Sequence, residues 1–513
     1  MIRPTVAPKS VAALAELVGF VGEPNQEAVI SGITLDSRRV ADGDLYGALA
    51  GAHVHGATFA KQAVNSGAAA ILTDQAGADI IGQSKVSVPV LVVEDPRARL
   101  GRISSWIYGN PSAALQIIGV TGTDGKTTVA MLAEAGLRAA GLTTGLVGTV
   151  LTRIGDQTLE SVRTTPEAPD LHALLAVMVE HGVQAVAMEV SSHALALGRV
   201  SGVEFDVVVF TNLGHDHLDF HGDQEHYFQA KASLFTPEYA QQAVVCTDGV
   251  WGRRLAKLSL IPTTTFAVPG EGEAKADLQP DWTVADIDTR AVGWEFLILS
   301  PTARYQGGCQ LPGMFNVSNA LGAVAAVSCI TGDPAAAAFG VADSPGVPGR
   351  MEQVGAGTQL AVLVDYAHTP DAVVRALGVG RTIATARGGR LIVVLGCGGD
   401  RDREKRPLMG AAAAEGADLA IITDDNPRSE DPAGIRREMM AGMAPPAPGT
   451  HSERVEIGGR SAALTYAVQI AEPNDVILAL GKGHETTQEI DGVKTPLDDR
   501  EVLAAALKGT ISD

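Results

Sequence analysis

Along most of this chain a short β-branched apolar run is followed at once by a loop rich in Gly, Asp or His, and that recurrence constrains the fold more than any other feature. Ile117-Ile118-Gly119-Val120 leads into Thr121-Gly122-Thr123-Asp124-Gly125-Lys126, Ala185–Met188 into Glu189-Val190-Ser191-Ser192-His193, and Phe205–Phe210 into Thr211-Asn212-Leu213-Gly214-His215-Asp216-His217. Later, Ala361–Val364 precedes Asp365-Tyr366-Ala367-His368, Leu391–Leu395 precedes Gly396-Cys397-Gly398-Gly399-Asp400-Arg401, Leu419–Thr423 precedes Asp424-Asp425-Asn426-Pro427-Arg428, and Val476–Leu480 precedes Gly481-Lys482-Gly483-His484-Glu485. Continuous apolar strands separated by helix-length stretches are buried on both faces, as in parallel sheets. Ligands of such sheets bind beyond the carboxyl ends of the strands, where these loops fall. The expected class is α/β, with two parallel-sheet units facing each other across a cleft.

At 513 residues the chain exceeds one ordinary core, and its punctuation divides it into three. Residues 1–111 carry short strands and the loop Leu35-Asp36-Ser37-Arg38, and end in Trp106-Ile107-Tyr108-Gly109-Asn110-Pro111. Residues 112–346 begin with Leu115–Val120 and reach the Gly/Pro-rich hinge Ser344-Pro345-Gly346-Val347-Pro348-Gly349, and residues 347–513 follow. A net charge of -20 without a long Lys/Arg run argues against nucleic acid and anionic membrane as partners. An anionic small molecule would need local Arg, Lys, metal ions or helix N-termini. Cys246, Cys309, Cys329 and Cys397 are scattered, which favours reduced thiols and a cytoplasmic setting. Near the start, Val11, Leu14, Leu17, Val18 and Val21 recur at helical spacing, the pattern of an amphipathic helix rather than a signal peptide. No uncharged apolar run is expected to span a membrane, and a monomer is the default.

The segment Gly122-Thr123-Asp124-Gly125-Lys126-Thr127-Thr128 lies between an expected strand and the helical pattern Val129–Ala140. Glycines let backbone wrap phosphate, exposed N–H groups and the helix dipole attract the anion, Lys126 adds a point charge and Thr127 can ligate Mg²⁺. The usual phosphate loop has Gly five residues before Gly125, where this chain has Val120. The bland alternative is a glycine turn capping a helix. Further on, Glu189 and the set His215, Asp216, His217, Asp219 and His221 offer metal ligands on expected strand ends. Zinc would need three or four tightly converging ligands, whereas an ATP enzyme needs oxygen-rich Mg²⁺ sites; a polar surface loop is the third reading.

The compact phosphate loop resembles that of the Mur ligases and folylpolyglutamate synthetases, whose usual form is TGTNGKT, with Asp124 here in place of the common Asn. The resemblance to the Mur ligase family continues through all three segments. It implies a small mixed α/β N-terminal domain that binds the UDP-linked substrate, a central ATP-binding parallel-sheet domain and a C-terminal Rossmann-like domain that binds the amino acid. It also implies ATP contacts from Gly122, Thr123, Asp124, Gly125, Lys126, Thr127, Thr128, Asn319, Arg350 and Asp365. Asn319 falls in Gly313-Met314-Phe315-Asn316-Val317-Ser318-Asn319-Ala320, which resembles the family's central asparagine motif; on its own it reads equally as a helix cap, and Arg350 as a surface cation. Mg²⁺ would be held by Thr127, Glu189, His217 and the carbamate of Lys231. The segment His226–Phe235 resembles the one whose Lys is carbamylated in these ligases, which points to Lys231, otherwise a surface helix cation. Lys126, Lys231 and His217 are the implied catalytic set, for phosphoryl transfer from ATP to a carboxylate and attack of an amine on the acyl phosphate.

The substrate loops resemble the diaminopimelate-adding branch of the family. Leu35 and Ser37 match its uridine loop, and Thr164-Thr165-Pro166-Glu167 its muramoyl-peptide loop. Ser191, Arg199 and Lys231 match further contacts to UDP-MurNAc-L-Ala-D-Glu, with Leu197 standing where many relatives carry Gln. Asp425-Asn426-Pro427-Arg428 matches the DNPR motif, and Arg401, Gly481 and Glu485 would complete a meso-diaminopimelate pocket. A guanidinium can grip the second carboxylate that distinguishes diaminopimelate from lysine. Seen alone, the same loop is a turn carrying an arginine. A lysine-adding Mur ligase and a folylpolyglutamate-type ligase are the alternatives.

Overall fold

The computed structural model describes residues 3–510 except 20–27, 52, 84–85, 215, 271–278, 290–292, 356–357 and 444–451. Every apolar run read as a strand is one: Gln116–Thr121, Ala185–Glu189, Phe205–Phe210, Ala361–Asp365, Leu391–Leu395, Leu419–Ile422 and Val476–Leu480.

The central sheet has eight strands in the order 157–160, 151–154, 144–147, 185–189, 116–121, 205–210, 240–246, 263–266. All are parallel except the hairpin 151–160, which adds an antiparallel edge. Alternate side chains of one strand feed different cores. Ile118 and Val120 meet the helices Lys126–Ala139 and Met314–Thr331, whereas Ile117 packs towards Ala168–Glu180. Both faces are covered, so the strands need apolar residues at every position. Strand 116–121 lies between 185–189 and 205–210 with Val120 opposite Glu189 and Thr121 opposite Phe210, so the loop that follows it opens between two neighbouring strand ends.

Met314–Thr331 is long and apolar enough to cross a membrane, which the sequence reading did not anticipate, but 67% of it is buried inside the protein, where it packs in the central core. The antiparallel sheet 283–289, 294–299, 304–309 was also not anticipated. A register shift between Ala285 and Asp288 breaks the two-residue period by which a half-buried strand is recognised.

The C-terminal sheet runs 352–354, 361–365, 476–480, 391–395, 419–422, 453–456, parallel except for its first strand. The N-terminal sheet has four short parallel strands, 32–34, 44–47, 70–73 and 90–92. Ahead of it the helix Val11–Val18 starts on a Ser10 hydroxyl that accepts from Ala13 N–H and stops at Gly19 in the left-handed region. Leu17 is exposed on this helix rather than on its buried face, which Val11, Leu14, Ala15 and Val18 form; Val21 lies outside the described residues.

Candidate active site

The phosphate loop forms the floor of a cavity of about 480 Å³ whose wall includes Lys126, Thr127, Thr128, Glu189, His217, Asn319, Arg350 and Asp365. The neighbouring strand end fixes the loop. Thr211 Oγ1 donates to the Asp124 carbonyl (2.6 Å), Asn212 Oδ1 accepts from Asp124 N–H (3.0 Å), and Thr123 Oγ1 accepts from Gly214 N–H (2.9 Å) while meeting Tyr227 OH at 3.2 Å. Gly125 sits at φ +84°, and a Cβ there would lie 2.4 Å from Asn319 Oδ1. Glycine at this position is therefore what lets Asn319 reach the loop. Asn319 lies inside the helix Met314–Thr331 and is not its cap; its Nδ2 donates to Asn316 Oδ1 (2.9 Å).

Lys126 Nζ folds back on the loop and donates to the carbonyls of Gly122 (3.0 Å) and Thr123 (2.8 Å). Lys231, on the helix Gln224–Ala232, is 1% exposed, so the surface-cation reading is corrected. Its Nζ donates to the same Gly122 carbonyl (2.7 Å) and lies 4.5 Å from the Tyr227 ring centroid. Burial, and then the Lys126 charge, hold this ammonium well below the usual lysine range.

Glu189 is 1% exposed, and its carboxylate accepts from Thr127 Oγ1 (3.0 Å), Thr149 N–H (2.6 Å) and Thr149 Oγ1 (3.1 Å). His217 adopts φ +55° with its Nε2 3.3 Å from Asp216, and desolvation lowers its pKa against the pull of Asp216. His215 lies outside the described residues. Among the described residues no three His, Cys, Asp or Glu side chains gather as a zinc site requires. What meets at the end of the phosphate loop is an oxygen pair, the Thr127 hydroxyl and the Glu189 carboxylate, a donor set that fits Mg²⁺.

The third segment closes over this mouth. Arg350, just after the hinge, reaches Thr127 Oγ1 with Nη2 (3.4 Å) and lies over the Tyr366 ring at 4.8 Å, so it is not a surface cation. Asp365 accepts from Met351 N–H and Ala367 N–H, both at 2.8 Å, and burial raises its pKa against the pull of Arg350. Arg375 on the helix Pro370–Arg387 pairs with Asp124, a partnership that no motif signalled.

A larger cavity, about 1160 Å³, lies between the N-terminal sheet and the central unit. Leu35 and Ser37 line one side, with Ser37 Oγ donating to Gln62 (3.2 Å), and Arg163, Pro166 and Glu167 line the other. The two cavities share the loop 162–167, for Thr164 faces the smaller, phosphate-loop cavity and touches Thr149 (2.9 Å). Thr165 Oγ1 donates to the Glu189 carbonyl (2.9 Å) and accepts from Ser191 N–H (3.1 Å). Arg199 pairs with Glu167 (2.9 Å) and donates to the Thr165 carbonyl (3.4 Å), so the carboxylate it meets here belongs to the protein.

The DNPR loop stands at the end of strand Leu419–Ile422, beside Gly481 and Glu485 at the end of Val476–Leu480. Arg428, at φ +53°, donates from Nη1 to the Gly399 carbonyl (2.6 Å). Asn426 donates to Glu485 (2.7 Å) and accepts from Glu489 N–H (3.0 Å), and Lys482 also donates to Glu485 (3.0 Å), so Glu485 already has a protein cation. Gly481 leaves room for Asp425, whose Oδ2 would be 2.6 Å from a Cβ there, and Arg401 is exposed and donates to the Asp400 carbonyl (3.3 Å). Beneath the loop an ion pair that sequence reasoning missed, Arg460–Asp499, is fully buried. Arg460 also donates to the carbonyls of Leu480 (2.8 Å) and Asp424 (3.3 Å), tying the two strand ends together.

Three family models match in chain order: the Mur ligase family catalytic domain over residues 29–108, the Mur ligase middle domain over 120–327 and the Mur ligase glutamate ligase domain over 349–483. Among curated relatives, the UDP-N-acetylmuramoyl-L-alanyl-D-glutamate--2,6-diaminopimelate ligase of Streptomyces avermitilis is 49% identical over 99% of this chain and 98% of its own length. That of Streptomyces coelicolor is 50% identical over 98% and 97%. A solved structure of a ligase of the same name superposes with a TM-score of 0.68 at 31% identity, covering 98% of this chain and 100% of the other. With a phosphate loop on a parallel sheet, a third unit closing over it and relatives matching along nearly the whole length, the chain belongs to the Mur ligase family, the ATP-dependent acid–amino-acid ligases of peptidoglycan synthesis.

Proposed function

We propose that the chain joins meso-2,6-diaminopimelate to UDP-N-acetylmuramoyl-L-alanyl-D-glutamate, acting as a cytoplasmic monomer. The observation that carries this reading is the shared wall of the two cavities. A substrate anchored by its nucleotide at Leu35 and Ser37 can extend along 162–167 and present its terminal carboxylate beside Thr164 at the phosphate loop. In this reading residues 1–111 hold the UDP substrate, 112–346 the ATP and 347–513 the amino acid. The names of the curated relatives and the reduced state of the four cysteines agree with it.

Gly122, Thr123, Asp124, Gly125 and Thr128 wrap the phosphates, and Lys126 exchanges its two carbonyl partners for phosphate oxygens. Thr127, Glu189 and His217 would hold Mg²⁺, which screens the γ-phosphate from the incoming carboxylate. Asn319, Arg350 and Asp365 complete the nucleotide site from the central helix and the closing unit. Lys231 is suited to carry a carbamate because burial favours its neutral, nucleophilic amine. Thr165, Ser191 and Arg199 set the peptide's path, with Glu167 holding the guanidinium in place until the substrate arrives. On the other side Arg428 and Arg401 face the distal carboxylate of diaminopimelate. Asp425, Asn426, Pro427 and Gly481 shape the turn, and Glu485 takes the distal ammonium in exchange for part of its bond to Lys482.

The test is phosphate release and product mass with ATP, Mg²⁺ and the UDP-linked dipeptide, comparing meso-diaminopimelate with L-lysine. A tripeptide product with diaminopimelate alone is expected. Arg428→Ala should lower kcat/KM for diaminopimelate by about 30-fold to 1000-fold, because the second carboxylate loses its charged donor. Product with lysine instead would keep the family and overturn the selectivity; an equal loss for both amines would remove Arg428 from the pocket.

A further inference from the structure

Asp124 is out of place in a triphosphate site. Its backbone is pinned by Thr211 and Asn212, which directs the side chain to the rim of the nucleotide cavity. It lines that cavity together with Lys126, Thr127 and Glu189, so the carboxylate lies within range of the site's centre. An unopposed carboxylate there repels every phosphate that approaches. The guanidinium that meets it comes from 251 residues away, on the helix Pro370–Arg387 of the closing unit. Arg375 lines the nucleotide cavity and also a cavity of about 430 Å³ between that helix and the central unit's residues Gly293, Trp294 and Pro312–Phe315, so it stands in the partition between them. The pair is about two-fifths exposed on each side. Exposed pairs of this kind contribute little to stability, so holding the fold together does not account for it.

We propose that Arg375 is a positioning residue for the nucleotide: it neutralises Asp124 at the phosphate loop, so that the triphosphate is admitted fully only when the third unit has closed. The inference rests on the assignment of this cavity to ATP. It gives the substitution of Asp for the family's common Asn a consequence, which is that nucleotide affinity becomes tied to the position of a helix in another domain. With Asn at this position the phosphates would meet no repulsion and Arg375 would have no charge to cancel.

The experiment is a double-mutant cycle on the full chain, reading KM for ATP and kcat in the ligation assay and ADP binding by calorimetry. Arg375→Ala should raise KM for ATP about tenfold, the equivalent of about 1.4 kcal/mol, and change kcat much less. Arg375→Lys, which keeps the charge, should recover most of that loss. In the Asp124→Asn background the same Arg375→Ala change should shift KM less than about twofold, because the cycle isolates the coupling between the two side chains. An equal rise in KM in both backgrounds would overturn the proposal, since Arg375 would then act on ATP directly or only through domain packing. Failure of the unaltered chain to bind ADP would instead sink the assignment of the cavity, so the two failures are distinguishable.

Discussion

Lys231 and Arg460 are both buried cations, and the protein accommodates them by opposite means. Arg460 cannot shed its proton, and it is held by both oxygens of Asp499 (2.7 and 2.6 Å) together with two carbonyls. Lys231 has one carbonyl and an aromatic face, and its charge is correspondingly disfavoured. Removing one partner of a buried pair leaves an uncompensated charge. Asp499→Ala is therefore expected to cost about 3–5 kcal/mol in urea unfolding, and to raise KM for diaminopimelate because the two strand ends under the DNPR loop come apart. Unchanged unfolding would show that Arg460 finds water or another acceptor. At this scale the sequence was informative where chemistry has a local signature. Gly122 to Thr128 could be picked out as one loop between a strand and a helix because its glycines, lysine and threonines are contiguous. Arg460–Asp499 and Asp124–Arg375 were invisible, since their partners lie 39 and 251 residues apart and neither spacing carries a pattern.

Among the elements, the helix Ala168–Glu180 joins the central sheet to the N-terminal unit, and His172 is its buried polar contact. Its Nε2 meets the Ser201 carbonyl at 3.0 Å, and burial lowers its pKa from 6.5 to about 4. The folded protein keeps this ring neutral, whereas the unfolded chain protonates it near 6.5. The stability it contributes is fully present above pH 6.5 and is lost as the pH falls towards 4, a term on the order of 3 kcal/mol. His172→Gln should flatten the acid limb of stability over that window in denaturant titrations at stepped pH; an unaltered slope would remove His172 as its source. Strands were the most legible elements, because uninterrupted Val and Ile runs admit few other readings. Leu17 misled because, six residues and so about 240° around the helix from Val11, it falls off the stripe that Val11, Leu14, Ala15 and Val18 form. The bulged strand Thr283–Thr289 was missed because periodicity is the only cue for a short antiparallel strand.

For the whole molecule, three units were legible from loops and hinges, as was a cleft between two parallel-sheet units, but the larger cavity between the N-terminal sheet and the central unit was not, since that depends on packing rather than pattern. Gly349 shows how tight one junction is. At φ +66° it lies against the backbone of the loop 481–484, and a Cβ there would be 2.0 Å from His484 N. Gly349→Ala should force that loop away, lower kcat at least about tenfold and reduce thermal stability, because overpacking against backbone cannot relax cheaply. Wild-type turnover would show that the hinge has slack. The loop 162–167 has a different consequence. It is walled on one side by the large cavity and on the other by the phosphate-loop cavity, and tied to Glu189 and Ser191 through Thr165; on the proposed function it sets the span between the two ends of the substrate. One residue of extended peptide covers about 3.5 Å, more than a reacting carboxylate can be misplaced. A UDP-linked peptide one residue shorter or longer should still bind but release no phosphate. The fold thus counts: it gauges how many residues have already been added and reacts at a single value.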